Sequence, residues 1–336
     1  MNKPALLLVN LGTPDSPSYF NVFKYLREFL MDARVIDIPV FFRFILVTLI
    51  ICPIRSFSSG KIYKQLWELS GGESPLLKNT KELAQKLNHA QSNYDVHYAM
   101  RYQSPSIKSK LQEIQKTNPS NLVVLPLFPH YASATSGSVY QEVAKELSKE
   151  WIIPNFKFIS QFYDHPAFID AWVDAAQKHK IDDYDMVLFS YHGLPISQVN
   201  KVYKDNQCDG KNCEHEINSE NYFCYKATVY ETSKLIAHRL NIPSSKYQVS
   251  FQSRLTNNWL EPFSDAVLKN FPASGIKKVL VFSPAFTADC LETIIEIGHE
   301  YKELFIANGG LKLDFVESLN FSDAWVQAII QIVNSK

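Results

Sequence analysis

Short apolar or β-branched runs recur along the chain, each closed by a polar turn. They lie at 5–10, 96–100, 122–127, 156–160, 186–191, 248–251, 279–282 and 313–316. Between them run amphipathic stretches at 80–87, 106–115, 138–149, 168–178 and 228–240, with apolar residues at helical spacing. Strand, crossover helix and strand in succession predict a parallel α/β sheet. The strands are apolar throughout rather than alternating, as expected when helices cover both faces of the sheet. The eight runs form two sets of four, and the sets echo each other. The second runs end in Arg101-Tyr102-Gln103-Ser104 and Gln252-Ser253-Arg254. The third runs end in Pro129-His130-Tyr131 and Pro284-Ala285-Phe286. The pattern predicts a duplicated domain, residues 1–155 with 317–336 forming the first half and 156–316 the second. A final helix at 322–332 is expected to pack back across the first half. Ligands of open α/β sheets bind beyond the carboxyl ends of the strands, so a cleft between the halves is the expected site.

Composition narrows the classes. Of 336 residues 46% are apolar and 20% charged, which describes a well-cored globular chain and excludes wholesale disorder. Lys+Arg and Asp+Glu are both 34, so no excess of cations serves a nucleic acid. Residues 5–9 are too short for a signal-peptide core. The expected compartment is therefore the reducing cytoplasm, where Cys52, Cys208, Cys213, Cys224 and Cys290 are thiols or metal ligands. The stretch 35–54 is almost wholly apolar between Pro39 and Pro53, interrupted by Arg43. Periodicity favours a buried helix there. Its all-round apolarity and the cluster Phe41, Phe42 and Phe44 also suit a lip resting in a lipid interface, peripheral on the inner membrane face.

Candidate chemistry sits at the strand ends. His192 follows an apolar strand, and Gly193 and Pro195 force a turn after it. It reads either as a hydrogen-bonded core histidine or as a base or metal contact. Asp289 and Glu292 read either as a capping box or, with Glu296 and His299 or Glu300, as one face of a helix that passes a cation or a proton. Arg101 at a strand end is a fork for a carboxylate. The loop from Leu125 to Ser138 gathers aromatics and hydroxyls. Together these suggest a large, flat, apolar ligand with a few anionic groups.

The residues resemble those of ferrochelatases, which insert Fe2+ into a porphyrin to make haem. The resemblance rests on seven motifs in family order. They are Asn10 to Pro14, Gly71 to Leu76, Arg101-Tyr102, Leu125 to Ser138, Ser190 to Pro195, Ser253-Arg254 with Trp259-Leu260, and Ser283 to Glu296. It implies two similar Rossmann-like domains with four-stranded parallel sheets and a porphyrin in the cleft between them. It implies His192 as the central histidine and Glu292 as the essential glutamate, with Asp289 and Glu296 on a metal or proton path. Leu11, Arg101, Tyr102, Tyr131, Trp259 and Phe286 fall on porphyrin-pocket positions. The implied reaction is insertion of Fe2+ as substrate into protoporphyrin IX with release of two protons, the last step of haem synthesis. Coproporphyrin, or another metal or tetrapyrrole, is the alternative, and a two-lobed binding protein without chemistry is the rival. Cys290 stands where animal members have a second histidine, so no direct metal role is expected of it. Some bacterial members hold a [2Fe–2S] cluster in an insert matching 201–226, through four cysteines. Cys208, Cys213 and Cys224 supply three here, leaving His215 as a fourth candidate for a cluster or zinc, and three unligated thiols as the alternative.

Overall fold

The computed structural model describes residues 2–335. All eight predicted strands form. β1 (Ala5–Gly12), β2 (Asp95–Tyr102), β3 (Leu122–Pro126) and β4 (Phe156–Phe158) make one parallel sheet in the order β2-β1-β3-β4. β5 (Met186–His192), β6 (Tyr247–Gln252), β7 (Lys278–Phe282) and β8 (Lys312–Phe315) make the other in the matching order β6-β5-β7-β8. The two halves thus repeat one topology.

Residues 1–161 with 333–336 form one compact unit and 162–332 the other. In the first, Leu7, Val9 and Val124 of the sheet pack with Leu111, Ile114, Val139 and Val143 of the helices Ile107–Lys116 and Ser138–Leu147. In the second, Leu188, Val279, Val281 and Leu313 pack with Leu268 and Phe305. Side chains on both faces of each sheet are buried, which is why the strands read as continuous apolar runs. Serines start the helices where the sequence allows. Ser74 accepts from the Leu77 amide at 3.5 Å with Pro75 at the first helical position, and Ser106 accepts from the Ser109 amide at 3.1 Å.

Two domain expectations are corrected. β4 pairs with β3, with Leu122 opposite Phe156, so 156–161 belong to the first unit. The last helix, Asp323–Asn334, joins the second unit up to Ile332, because Trp325 packs its ring 5.8 Å from Phe162 and 6.0 Å from Phe168.

The buried-helix expectation for 35–54 is also revised. A single helix runs Val40–Leu69, with a π-helical stretch Ile45–Ile51 inside it. It is long and apolar enough to cross a membrane, yet only 22% of its apolar window is buried. One side rests on the helix Tyr19–Leu30, where Tyr19 and Phe57 rings lie 4.5 Å apart. Arg43 folds back to donate to the Ile36 and Ile38 carbonyls at 2.9 and 3.1 Å, so the interrupting charge is spent on the chain itself. Phe41, Phe42, Leu49, Ile50, Ile54 and Phe57 remain exposed.

Candidate active site

His192 is the last residue of β5, and its surroundings fix its ring. Nδ1 lies 2.6 Å from the Gly193 carbonyl oxygen. A carbonyl only accepts, so Nδ1 carries the proton and Nε2 keeps a bare lone pair. The Tyr225 hydroxyl donates to the His192 carbonyl at 3.0 Å. Gly193 donates its amide to the Gln252 carbonyl at 2.8 Å. A Cβ at Gly193 would stand 3.0 Å from that oxygen and 3.2 Å from the Trp259 ring, so glycine is what permits the close approach. The loops on either side pair, Leu260 donating to Leu194 at 2.9 Å and Ile196 to Asn258 at 3.0 Å. This seats Trp259 6.2 Å from the imidazole, with Phe286 at 6.4 Å. The structure therefore gathers His192, Trp259 and Phe286 as the sequence predicts.

Glu292 opens a π-helix, Glu292–Tyr301. The sequence expected α-helical spacing there. The i→i+5 bonds of a π-helix set the carboxylates on a wider turn, a form frequent at functional sites. No capping box forms. The Thr293 hydroxyl accepts from the Cys290 amide at 3.0 Å instead. Burial, chiefly, and the neighbouring Glu292 charge raise the Cys290 thiol pKa well above the ordinary value. Gln252 ties this segment to the histidine strand. Its Oε1 accepts from Ser190 at 2.7 Å, and its Nε2 donates to the Glu292 carbonyl at 3.3 Å and to Glu296 at 3.0 Å.

Asp289 and Glu296 are filled by protein donors. Asp289 accepts from Thr293 at 3.0 Å, the Ser318 amide at 3.2 Å and Asn320 at 2.6 Å. Glu296 accepts from Gln252, from the Ser253 amide at 2.9 Å and hydroxyl, and from Tyr301 at 2.8 Å. Ser253 has φ +61°, a left-handed conformation costly for a serine, and Glu296 holds it there.

In the first unit Arg101 and Tyr102 end β2. Arg101 donates to Asp32 at 2.8 Å and to Ser138 at 2.7 Å. Tyr102 donates to Asp32 at 2.9 Å, and its ring lies 5.2 Å from Phe29. Asp32 also takes the Ser138 hydroxyl and, at 2.8 Å, the Arg34 amide. Burial alone would raise its pKa. The bonds from Ser138 and the Arg34 amide, with the Arg101 charge, outweigh that and hold it below the usual carboxylate value. Asp32, Glu28 on the Gln103 amide at 3.1 Å, and Gln252 are residues that sequence reasoning missed, since nothing local marks an isolated acid or amide as a partner for a distant strand end. Leu11 is half-buried, its amide donating to Asn10 at 2.9 Å. Asn10 reaches Thr80 at 3.0 Å and Ser74 reaches Thr13 at 3.1 Å, which joins two of the sequence motifs. Gly12, at φ +116°, is required because a Cβ would stand 2.0 Å from the Tyr102 carbonyl oxygen. Tyr131 is half-buried, its hydroxyl 3.0 Å from where a Cβ on Gly137 would be.

The insert departs from expectation. Cys213 and Cys224 are buried, not loop-exposed. The Tyr203 hydroxyl lies 3.0 Å from Cys213 Sγ. The Cys213 thiol lowers the Cys224 pKa, and Cys224, with burial, raises that of Cys213. Among the described residues no group of three or more His, Cys, Asp or Glu side chains is placed to hold a metal ion. A [2Fe–2S] cluster takes four protein ligands. The insert offers three thiols, two of them buried, and an exposed His215, so this donor set does not fit the cluster or a Cys3His zinc site.

Each unit is built on a four-stranded parallel sheet, and in the second an imidazole, carboxylates and aromatics gather at the strand ends. Solved structures agree on the fold. SirB from Bacillus subtilis with Fe3+ superposes with a TM-score of 0.55 at 12% identity, covering 98% of this chain and 94% of that one. The sirohydrochlorin chelatase SirB from Bacillus subtilis subspecies spizizenii with cobalt gives 0.53 at 11% identity, covering 98% and 94%. The Ferrochelatase family model matches residues 3–336. A ferrochelatase of Legionella pneumophila (strain Corby) is 40% identical over 336 residues, 99% of each chain. One of Coxiella burnetii (strain Dugway 5J108-111) is 40% identical over 337 residues, 98% of this chain and 93% of that one. The chain belongs to the ferrochelatase family, enzymes that place ferrous iron in a porphyrin during haem synthesis.

The Asp32 network generates a stability prediction. Asp32→Asn removes the charge that faces Arg101 and is expected to cost about 1.5–3 kcal/mol, read as a lower urea midpoint at unchanged slope. The wild-type carboxylate stabilises the fold above the unfolded value of about 3.9, and that contribution is lost as pH falls through its lower folded pKa. The gap between the two proteins should therefore close on acidification. A gap that stays constant down to low pH would contradict the charged network.

Proposed function

We propose that the substrate porphyrin is protoporphyrin IX, that His192 Nε2 accepts the protons lost from its ring, and that Glu292 receives the ferrous ion. The observation that carries the reading is the Nδ1 bond to Gly193, which leaves Nε2 as the bare nitrogen. Metal entry requires two pyrrole N–H groups to lose their protons, and an imidazole with a bare ring nitrogen is suited to take them. Trp259 and Phe286 flank the imidazole and offer faces to a flat macrocycle. Leu11 and Tyr131 are assigned to porphyrin binding in the same reading. Arg101 and Tyr102 are held in place by Asp32, which occupies both. Asp289 and Glu296 act first as brackets. For either to pass on a cation or proton, one of its present donors must let go. The insert carries thiols rather than a [2Fe–2S] cluster, a reading supported by the count of its sulfurs and the burial of two of them.

The exposed aromatic edge of the helix Val40–Leu69 supports a site that handles an apolar porphyrin beside a lipid surface. It favours protoporphyrin, with two carboxylates, over coproporphyrin, with four. In this reading the enzyme is cytoplasmic and binds the membrane peripherally.

His192→Ala is expected to lower the metallation rate about 10²–10⁴-fold while porphyrin still binds, read by absorption bands and by fluorescence quenching. Near-parental turnover would remove His192 from the chemistry. In the same assay, faster metallation of coproporphyrin by the parental enzyme would move the substrate to the second reading. Each change of Phe41, Phe42 or Phe44 to Ser is expected to weaken liposome binding about tenfold, since a buried Phe contributes roughly 1.5–3 kcal/mol. Variants that float with liposomes as well as the parent does would make that edge something other than a lipid contact.

A further inference from the structure

Ser190 stands two residues before His192, yet its hydroxyl takes no part in the roles assigned above. Ser190, Ser250 and Ser264 are fully buried, three hydroxyls inside a core where apolar side chains are the rule. The Ser250 and Ser264 oxygens lie 2.8 Å apart, and those of Ser264 and Ser190 lie 2.9 Å apart. Ser190 donates to Gln252 Oε1 at 2.7 Å. An amide oxygen only accepts, so each hydroxyl of the row gives its hydrogen to the next, from Ser250 through Ser264 to Ser190. The other end of the amide is fixed independently. Nε2 donates to Glu296 Oε2 at 3.0 Å and to the Glu292 carbonyl at 3.3 Å. A carboxylate and a carbonyl only accept, so an amide turned over would set oxygen against oxygen.

The backbone of the same residue holds the base. The Gln252 carbonyl accepts the Gly193 amide at 2.8 Å, and the Gly193 carbonyl accepts from His192 Nδ1 at 2.6 Å. We propose that Gln252 is a positioning residue for metal insertion, oriented by Ser190, which fixes the start of the π-helix carrying Glu292 against the turn carrying His192. The inference rests on the roles proposed for those two side chains. The amide bonds the backbone of Glu292, the first residue of the π-helix, so its effect passes through the placing of that residue. A displacement of about 1 Å at a reacting group is enough to cost roughly 10²-fold in rate.

Gln252→Met keeps the length of the side chain and the backbone carbonyl and removes both ends of the amide. In single turnover it is expected to lower the metallation rate about 10- to 100-fold, with porphyrin affinity by fluorescence quenching within about twofold of parental. Ser190→Ala leaves the amide intact and removes only the group that orients it. It should lower the rate in the same direction, by about three- to tenfold. The cycle with Glu292→Gln separates positioning from packing. In the Glu292→Gln background, Gln252→Met should cost little more, and the nitrogen NMR signature of His192 should stay parental. Should Gln252→Met fail to fold, Ser190→Ala carries the same cycle. Parental rates in the single variants, or a full additional loss in the Glu292→Gln background, would overturn the proposal and leave the role of Glu292 standing. Porphyrin affinity lost in step with the rate would also overturn it and make Gln252 a residue of the fold alone. Parental turnover by Glu292→Gln itself would overturn the reading of Glu292 and this proposal with it.

Discussion

The second unit is organised around one strand-end turn. Gly193 approaches the Gln252 carbonyl so closely that a side chain there would push its neighbours aside, and the same residue's own carbonyl takes the proton side of the His192 ring. One residue therefore sets where the histidine stands and which nitrogen it presents. Gln252, opposite His192 in the β5–β6 register, extends the constraint to the π-helix through the Glu292 carbonyl and the Glu296 carboxylate. Positioning by backbone and amide groups costs little reorganisation when charge moves, which is what proton and cation transfer require.

The two halves share more than strand order. β2 and β6 both end in a non-glycine residue of positive φ, Gln103 at +67° and Ser253 at +61°. In each case a glutamate accepts the backbone amide, Glu28 in one half and Glu296 in the other. Asp32 then brackets Arg101 and Tyr102 in the first half much as Asp289 brackets Thr293, Ser318 and Asn320 in the second. Most of the carboxylates near the strand ends are structural in this sense. Glu292 differs from them, since its charge lies beside the Cys290 thiol rather than in a ring of strong donors.

The strands were legible because their pattern is local. An apolar run such as 5–10 has one physical reading in an α/β chain, and the strand-end motifs pointed to His192, Trp259 and Phe286, whose rings stand near one another. The rest was set by tertiary contacts that no spacing reveals. α-Helical periodicity was assumed from Glu292 onward, but a π-helix formed, with Glu296 held by Ser253, Gln252 and Tyr301. Asp32 carries no local signal, yet it anchors two pocket residues 69 and 70 positions away. The polar sequence around Cys208 to Cys224 suggested exposed ligands, while Tyr203 and the start of the helix Tyr225–Arg239 bury two of them. The apolar stretch around Phe41 allowed either a buried helix or an exposed lip, and its outer side is exposed.

The account turns on the imidazole of His192 carrying its proton on Nδ1, so that Nε2 is free to act on the porphyrin. Nitrogen NMR of protein labelled at histidine, assigned through a His192→Gln control and recorded at neutral pH without substrate, reads this directly. The expected result is a neutral ring protonated at Nδ1 with an unprotonated Nε2. A ring protonated at Nε2, with Nδ1 bare, would contradict the Gly193 bond and the role assigned to His192 with it.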